Sequence, residues 1–192
     1  MIVKPDIRII GFDDAPFNFS DEFTDIIGVI IRGKGYLEGV LHDSIKIDGD
    51  DVTSTCQKMI LGTRYYQQLK AILLDGITMG GFNIIDIESL WNQTKIPVIT
   101  ITRERPNLDT IRRALQKHFS DWRQRFELLN KNTLVEIETK HNPIYVSFKG
   151  ISLSKAKEII TLSTIRGVIP EPLRVAHVIA SGISRGESYG KA

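Results

Sequence analysis

The sequence predicts an α/β protein, a mixed β-sheet flanked by helices. Two patterns predict it. Near the start, "DIIGVIIR" (25–32) and "YLEGVLHDSIKI" (36–47) flank the turn signal "GKG", which reads as an antiparallel hairpin. Further on, short apolar runs alternate with helical patterns, the order expected of parallel βαβ units. Hairpin strands joined to such units make the sheet mixed. At 192 residues the chain is expected to form one domain spanning 1–192.

The elements follow in order. "IRIIGF" (7–12) reads as a buried strand, ahead of the hairpin. A helix is expected from residue 51, because Val52, Cys56, Met59 and Ile60 fall on one helical face. "KAILLD" (70–75) is a strand and "DIESLWNQT" (86–94) a short helix. "IPVITIT" (96–102) is a strand whose Pro97 sits at the start, where no ladder donor is lost. One long helix is expected after Pro106. Leu108, Ile111, Leu115, Phe119, Trp122, Phe126 and Leu129 recur in it at steps of three and four, with Arg112, Arg113, Lys117, Arg123 and Arg125 on the other faces. "TLVEIET" (133–139) and "PIYVSF" (143–148) read as strands, and "SLSKAKEIITLS" (152–163) as an amphipathic helix. The last helix opens at Pro170-Glu171-Pro172, where a missing N–H costs nothing.

A 42% hydrophobic and 25% charged composition is that of an ordinary globular protein. No basic-then-apolar leader and no apolar run of about 18 residues is found, so neither secretion nor a membrane span is expected. The single Cys56 excludes an internal disulfide and a multi-cysteine zinc site. A reducing compartment, the cytoplasm, is expected. Residues 1–100 carry 9 Lys/Arg against 14 Asp/Glu, and residues 101–192 carry 16 against 9. Such a split suits a cation on one side and an anionic partner on the other.

Three acidic points stand at element ends. They are Asp13-Asp14 after the first strand, Asp48, Asp50 and Asp51 before the first helix, and Asp75 after the fourth strand. If the first and fourth strands are parallel neighbours, Asp13 and Asp75 lie side by side at one sheet edge, and Asp51 closes a triangle. Clustered carboxylates are unfavourable without a cation between them. All-oxygen ligands suit Mg²⁺ or Mn²⁺, which can activate water and offset charge on a leaving phosphate oxygen. That is the chemistry of nucleases with the ribonuclease H type of fold. Each acid also has a plainer use. Asp51 is a good N-cap, worth about 1 kcal/mol, and Asp48 before Gly49 is ordinary turn chemistry. The "DGITMGG" turn after the fourth strand is a rival phosphate-binding loop, although it matches neither common glycine fingerprint.

"FKGISLSKAKEIITLSTIRGVIPEPLRVAH" resembles the end of the endonuclease V family, with "PEPLRVAH" the most specific match. "LLDGITMGGFNIIDIESLW", "IPVITITR" and "IIGFDD" resemble its fourth, fifth and first strand motifs. "GFDDAPF", "DGDDVT" and the final "GES" are closer still to an archaeal sister family of endonuclease V, described as cleaving DNA at deoxyuridine. The resemblance spans nearly the whole chain. It implies an endonuclease V-like, ribonuclease H-like fold and a Mg²⁺- or Mn²⁺-dependent endodeoxyribonuclease acting in DNA repair. By position, it implies that Asp13 and Asp75 are metal carboxylates and that Asp14 assists. Asp51 stands where endonuclease V has a glutamate, with Asp48 and Asp50 as competitors for that place. Arg103 stands for a lysine and would contact a phosphate or orient a carboxylate.

The chain departs from endonuclease V in two places. "KIDGDDVT" replaces a Pro-Tyr-Ile-Pro-Gly wedge, and Ile151 follows Gly150 where endonuclease V has a histidine. Hypoxanthine specificity is therefore not implied, and deoxyuridine is favoured. Arg174 and His177 are read as packing or hydrogen-bonding residues. The expected partner is DNA, lesion-containing or single-stranded, with Arg103, Arg105, Arg112, Arg113 and Lys117 along its backbone. A homodimer through a long helix carrying Trp122 and Phe126 is compatible with the sequence. The alternatives are an inactive nucleic-acid-binding module on the same fold and, more weakly, a nucleotide-binding enzyme using the "DGITMGG" turn.

Overall fold

β-Branched runs and their turns build a seven-stranded sheet in the computed structural model, which describes residues 3–188. The terminal residues of the expected 1–192 span lie outside that range. The strands of this sheet are β1 (Arg8–Asp14), β2 (Phe23–Arg32), β3 (Tyr36–Lys46), β4 (Leu69–Asp75), β7 (Val98–Thr102), β8 (Val135–Ile137) and β9 (Ile144–Lys149). A two-stranded ribbon, β5 (Thr78–Met79) and β6 (Asn83–Ile84), stands apart. The helices are α1 (Val52–Gly62), α2 (Ile87–Thr94), α3 (Leu108–His118), α4 (Trp122–Asn130), α5 (Leu153–Ser163) and α6 (Glu171–Arg185).

Strand order is β3-β2-β1-β4-β7-β9-β8. β4 runs parallel to both β1 and β7, and the other pairings are antiparallel, so the sheet is mixed as the pattern predicts. Phe12 of β1 lies opposite Leu74 of β4. One further step in that register sets Asp13 beside Asp75.

Side chains alternate across the strands. Ile10, Phe12, Ile72 and Leu74 pack with Val52, Cys56 and Ile60 of α1 and Leu90 of α2. Ile9, Ala71, Leu73 and Ile99 pack on the other side with Ile159 of α5 and Leu173 of α6. Burial on both faces explains why the strands read as continuous apolar runs. Val52, Cys56, Met59 and Ile60 are the buried residues of α1, as their spacing predicts.

α6 sits unusually close to β1 because Gly11 has no side chain. A Cβ there would lie 2.6 Å from the Pro172 carbonyl carbon. Gly11→Ala is expected to push α6 off the sheet and destabilise the protein by about 1–3 kcal/mol. A lower urea midpoint at unchanged slope checks this.

The expected long helix after Pro106 is two helices. Phe119 leaves helical geometry at φ −129°, ψ 128° and its ring meets Phe82 edge-on at 5.6 Å. After the break, Arg125 pairs with Asp121 and donates to the carbonyls of Gly49 (2.8 Å) and Phe82 (2.7 Å). The apolar steps of three and four continue through it in the sequence, yet α4 folds back on α3, with Arg112 over the Trp122 and Phe126 rings. Arg125 is therefore not on an open face: its side chain is 14% exposed. Arg125→Ala should cost about 2–3 kcal/mol by stripping two carbonyls of a charged donor. Lysine, without the fork, should restore little of this in thermal unfolding.

The "DGITMGG" turn leads into the β5–β6 ribbon and not into a helix, which removes the helix N-terminus a phosphate loop needs. Among the described residues no helix is long and apolar enough to cross a membrane.

Candidate carboxylate centre at the sheet edge

β1, β4 and β7 end at one edge of the sheet, and their last residues open towards the crevice where α/β proteins bind ligands. Asp13 and Asp75 share the face covered by α6, because each is two residues beyond a position that faces that side (Gly11 against Pro172, Leu73 in the α5–α6 core). Asp13 is only 6% exposed. Its Oδ1 accepts the Asp14 amide (3.0 Å), and its Oδ2 is hydrogen-bonded to His177 Nδ1 (2.9 Å).

Asp75 is pushed up to about 6, first by burial and then by the negative charge of Asp13. Arg103 and His177 act in the opposite direction and offset part of this rise. Asp14 points to the opposite face. Burial pushes it up to about 7 against a hydrogen bond from the Gly80 amide (2.9 Å), and Asp13 and Asp75 add repulsion. The edge thus gathers acids that resist ionising together, the condition a cation relieves.

The structure does not bring Asp51 to this pair. Its carboxylate accepts the Lys46 amide (3.2 Å) and the Asn83 side-chain amide (2.6 Å). Asn83 is buried; it also donates to the Lys46 carbonyl (2.9 Å) and accepts from the Val52 amide (3.1 Å). Asp51 and Asn83 thereby fasten the end of β3 to the start of α1. Asp48 is likewise engaged: at φ 56° its Oδ1 accepts the Phe82 amide (2.7 Å), against Gly81, where any Cβ would collide with it. Asp50 is exposed. Among the described residues, no three His, Cys, Asp or Glu side chains gather closely enough to enclose a metal ion. What remains is a pair. Its donors are all oxygen and fit Mg²⁺, which keeps several waters and often takes only one or two protein carboxylates beside substrate phosphates.

Arg174 pairs with Glu171 (2.7–3.0 Å), a structural role as expected. His177 does hydrogen-bond, but to the site itself. The sequence holds a faint signal for this. From the Gly11–Pro172 contact, β1 advances about 6.6 Å in the two residues to Asp13 and α6 about 7.5 Å in the five residues to His177, comparable rises that bring the two together. Arg112 lies over the rings of Trp122 (5.9 Å) and Phe126 (5.7 Å), and Arg123 over Trp122 (4.9 Å), so α3 and α4 present stacked cations and aromatics.

The sequence pattern of the Endonuclease dU family matches residues 5–184. A UPF0215 protein of Methanosarcina mazei is 47% identical over 193 residues, covering 99% of this chain and 97% of its own. The crystal structure of a protein of unknown function from Archaeoglobus fulgidus superposes with TM-score 0.82 at 32% identity, covering 92% of this chain and 98% of its own. Endonuclease V of Ciona intestinalis, solved with a 24mer DNA containing an inosine followed by a ribo-adenosine, superposes with TM-score 0.59 at 15% identity, covering 89% and 83%. The fold is thus that of endonuclease V, of the ribonuclease H type.

Proposed function

This chain belongs to the Endonuclease dU family, and we propose that it is a Mg²⁺- or Mn²⁺-dependent endodeoxyribonuclease that cuts DNA near deoxyuridine, in cytoplasmic DNA repair. The observation that carries the reading is the Asp13–Asp75 pair at the carboxyl edge of β1 and β4, Asp13 buried and Asp75 half-buried, whose repulsion a divalent cation relieves. Asp13 and Asp75 hold the metal, and Asp14 adds negative charge behind them. Bound there, the ion supplies an activated water and neutralises charge at the scissile phosphate. His177 positions Asp13 through its Nδ1 contact. Arg103, close enough to Asp75 to influence its charge, meets the phosphate. Arg105, Arg112, Arg113 and Lys117 follow the DNA backbone, so binding weakens steeply with salt. The endonuclease V neighbour with bound DNA supports the choice of partner.

The test is cleavage of labelled duplexes and single strands carrying one deoxyuridine or one deoxyinosine, with Mg²⁺, with Mn²⁺ and with EDTA. Metal-dependent cutting at deoxyuridine is expected. One observation favours a second reading, an inactive nucleic-acid-binding module: Asp51 is engaged away from the pair. That reading expects salt-sensitive binding indifferent to Mg²⁺ and no cutting of any substrate.

A further inference from the structure

The loop from β1 to β2 leaves the sheet edge just beyond Asp13 and Asp14 and holds aromatic rings out in solvent. Phe19 is 80% exposed, and Phe23, at the start of β2, is 52% exposed. The half-buried Phe17 meets Phe19 edge-on, with ring centroids 5.4 Å apart and an interplanar angle of 83°. One exposed phenylalanine is ordinary on a protein surface, whereas a cluster of them marks an interaction site. The loop that carries them is pinned. At its base the Ala15 amide donates to the Asp25 carbonyl (2.8 Å) and the Thr24 hydroxyl to the Ala15 carbonyl (2.9 Å). At its tip the Asn18 amide donates to the Asp21 carboxylate (2.9 Å) and the Asp21 amide to the Asn18 carbonyl (2.9 Å). Phe17 and Phe23 also wall an open groove of about 270 Å³ that reaches Ser44 of β3 and Ser184 of α6.

Phe23 faces the side of the sheet that carries Asp13. Ile27 lies opposite Asp13 in the β1–β2 register and packs towards α6. Phe23 is two alternations before Ile27, which sets it on the same face about 13 Å past Asp13 along the strand. The loop and its base, residues 15–25, contain no Lys or Arg. Their acids are Asp21, Glu22 and Asp25, of which Asp21 caps the tip and Asp25 pairs with His42 (2.7 Å). Acids without a cation do not suit phosphate. Exposed rings suit an uncharged ring face, and every nucleobase has one. We propose that this loop is a stacking platform for unpaired bases of single-stranded DNA, with Phe19 as the principal contact. The bases it holds lie a few nucleotides from the phosphate at Asp13 and Asp75 and are held without regard to sequence. The proposal rests on the nuclease reading above, in that it takes the strand to cross this sheet edge. The cations of α3 and α4 carry the phosphates, and the loop carries the bases.

The test is fluorescence-anisotropy binding in EDTA of three labelled DNAs: a single strand, the same strand with its central bases replaced by abasic sites, and a fully paired duplex. The wild type should bind the single strand about tenfold more tightly than the abasic one, the usual worth of a stacked base. Phe19→Ala should weaken the single strand about tenfold and leave the abasic strand and the duplex within about twofold. Its salt dependence should match the wild type, because no phosphate contact is removed. Phe19→Trp, which keeps a ring, should bind the single strand at least as well as wild type. Phe19→Ala binding the single strand within about twofold of wild type, or weakening all three DNAs alike, overturns the proposal. Sedimentation of the same variants covers the other occupant: a dimer that becomes a monomer in Phe19→Ala, with DNA binding unaltered, gives the loop to a second copy and also overturns it. Because the assay contains no metal, it stands apart from the cleavage test. A protein that shows the stacking pattern but never cuts defeats the nuclease reading and keeps the platform, while one that cuts and binds alike without Phe19 does the reverse.

Discussion

Asp75→Asn is expected to abolish cleavage, by on the order of a thousandfold, and at the same time to stabilise the metal-free protein. The first effect would follow from removing one of the two proposed metal carboxylates, since an ion held there would contribute several kcal/mol at the transition state. DNA affinity should change little, because the phosphate contacts lie on other residues. The second effect follows from the raised ionisation of Asp75, about 6 in the folded chain against 3.8 ordinarily. Between those values the folded state binds more protons than the unfolded state, so stability falls as pH rises. Above pH 6 the penalty is complete, about 3 kcal/mol. Asparagine has no charge to bury. In EDTA its gain over wild type should be near zero below pH 4 and full at pH 8, measured by urea unfolding at both. An Asp75→Asn protein that still cuts, or that is no more stable at pH 8, removes Asp75 from the site.

His177→Ala should weaken metal-dependent activity by about 10–100-fold, the usual cost of losing the group that orients a ligating carboxylate. His177 acts through Asp13, and the readout must show that. The loss should appear as a higher Mg²⁺ concentration for half-maximal rate, with partial recovery at saturating metal. His177→Gln, which keeps a polar group able to reach Asp13 Oδ2, should recover more than alanine. A uniform loss of rate with the metal dependence unaltered would assign His177 to packing alone.

The sheet was legible because its strands are short apolar runs and their helices carry clean faces. Asp13 and Asp75 stood out for the same reason: each ends a buried run, and the β1–β4 pairing sets them together. Asp51 suited a metal ligand or an N-cap by position, but its carboxylate makes no cap hydrogen bond and instead binds the Lys46 amide and Asn83, the latter 32 residues away, which no local pattern could show. The role of His177 depends on Gly11 letting α6 approach β1, a contact spanning most of the chain. The α3–α4 break was hidden because the apolar residues keep steps of three and four through it in the sequence, and the partners of Arg125 lie in loops far back in the chain.

Isothermal titration of Mg²⁺ and Mn²⁺ into the DNA-free protein at pH 8, for wild type, Asp75→Asn and Asp51→Asn, decides whether the Asp13–Asp75 pair is a metal site. Binding by wild type, lost in Asp75→Asn and kept in a folded Asp51→Asn, is the expected result. Equal binding by wild type and Asp75→Asn would place any metal elsewhere and end the assignment of this edge as the catalytic centre.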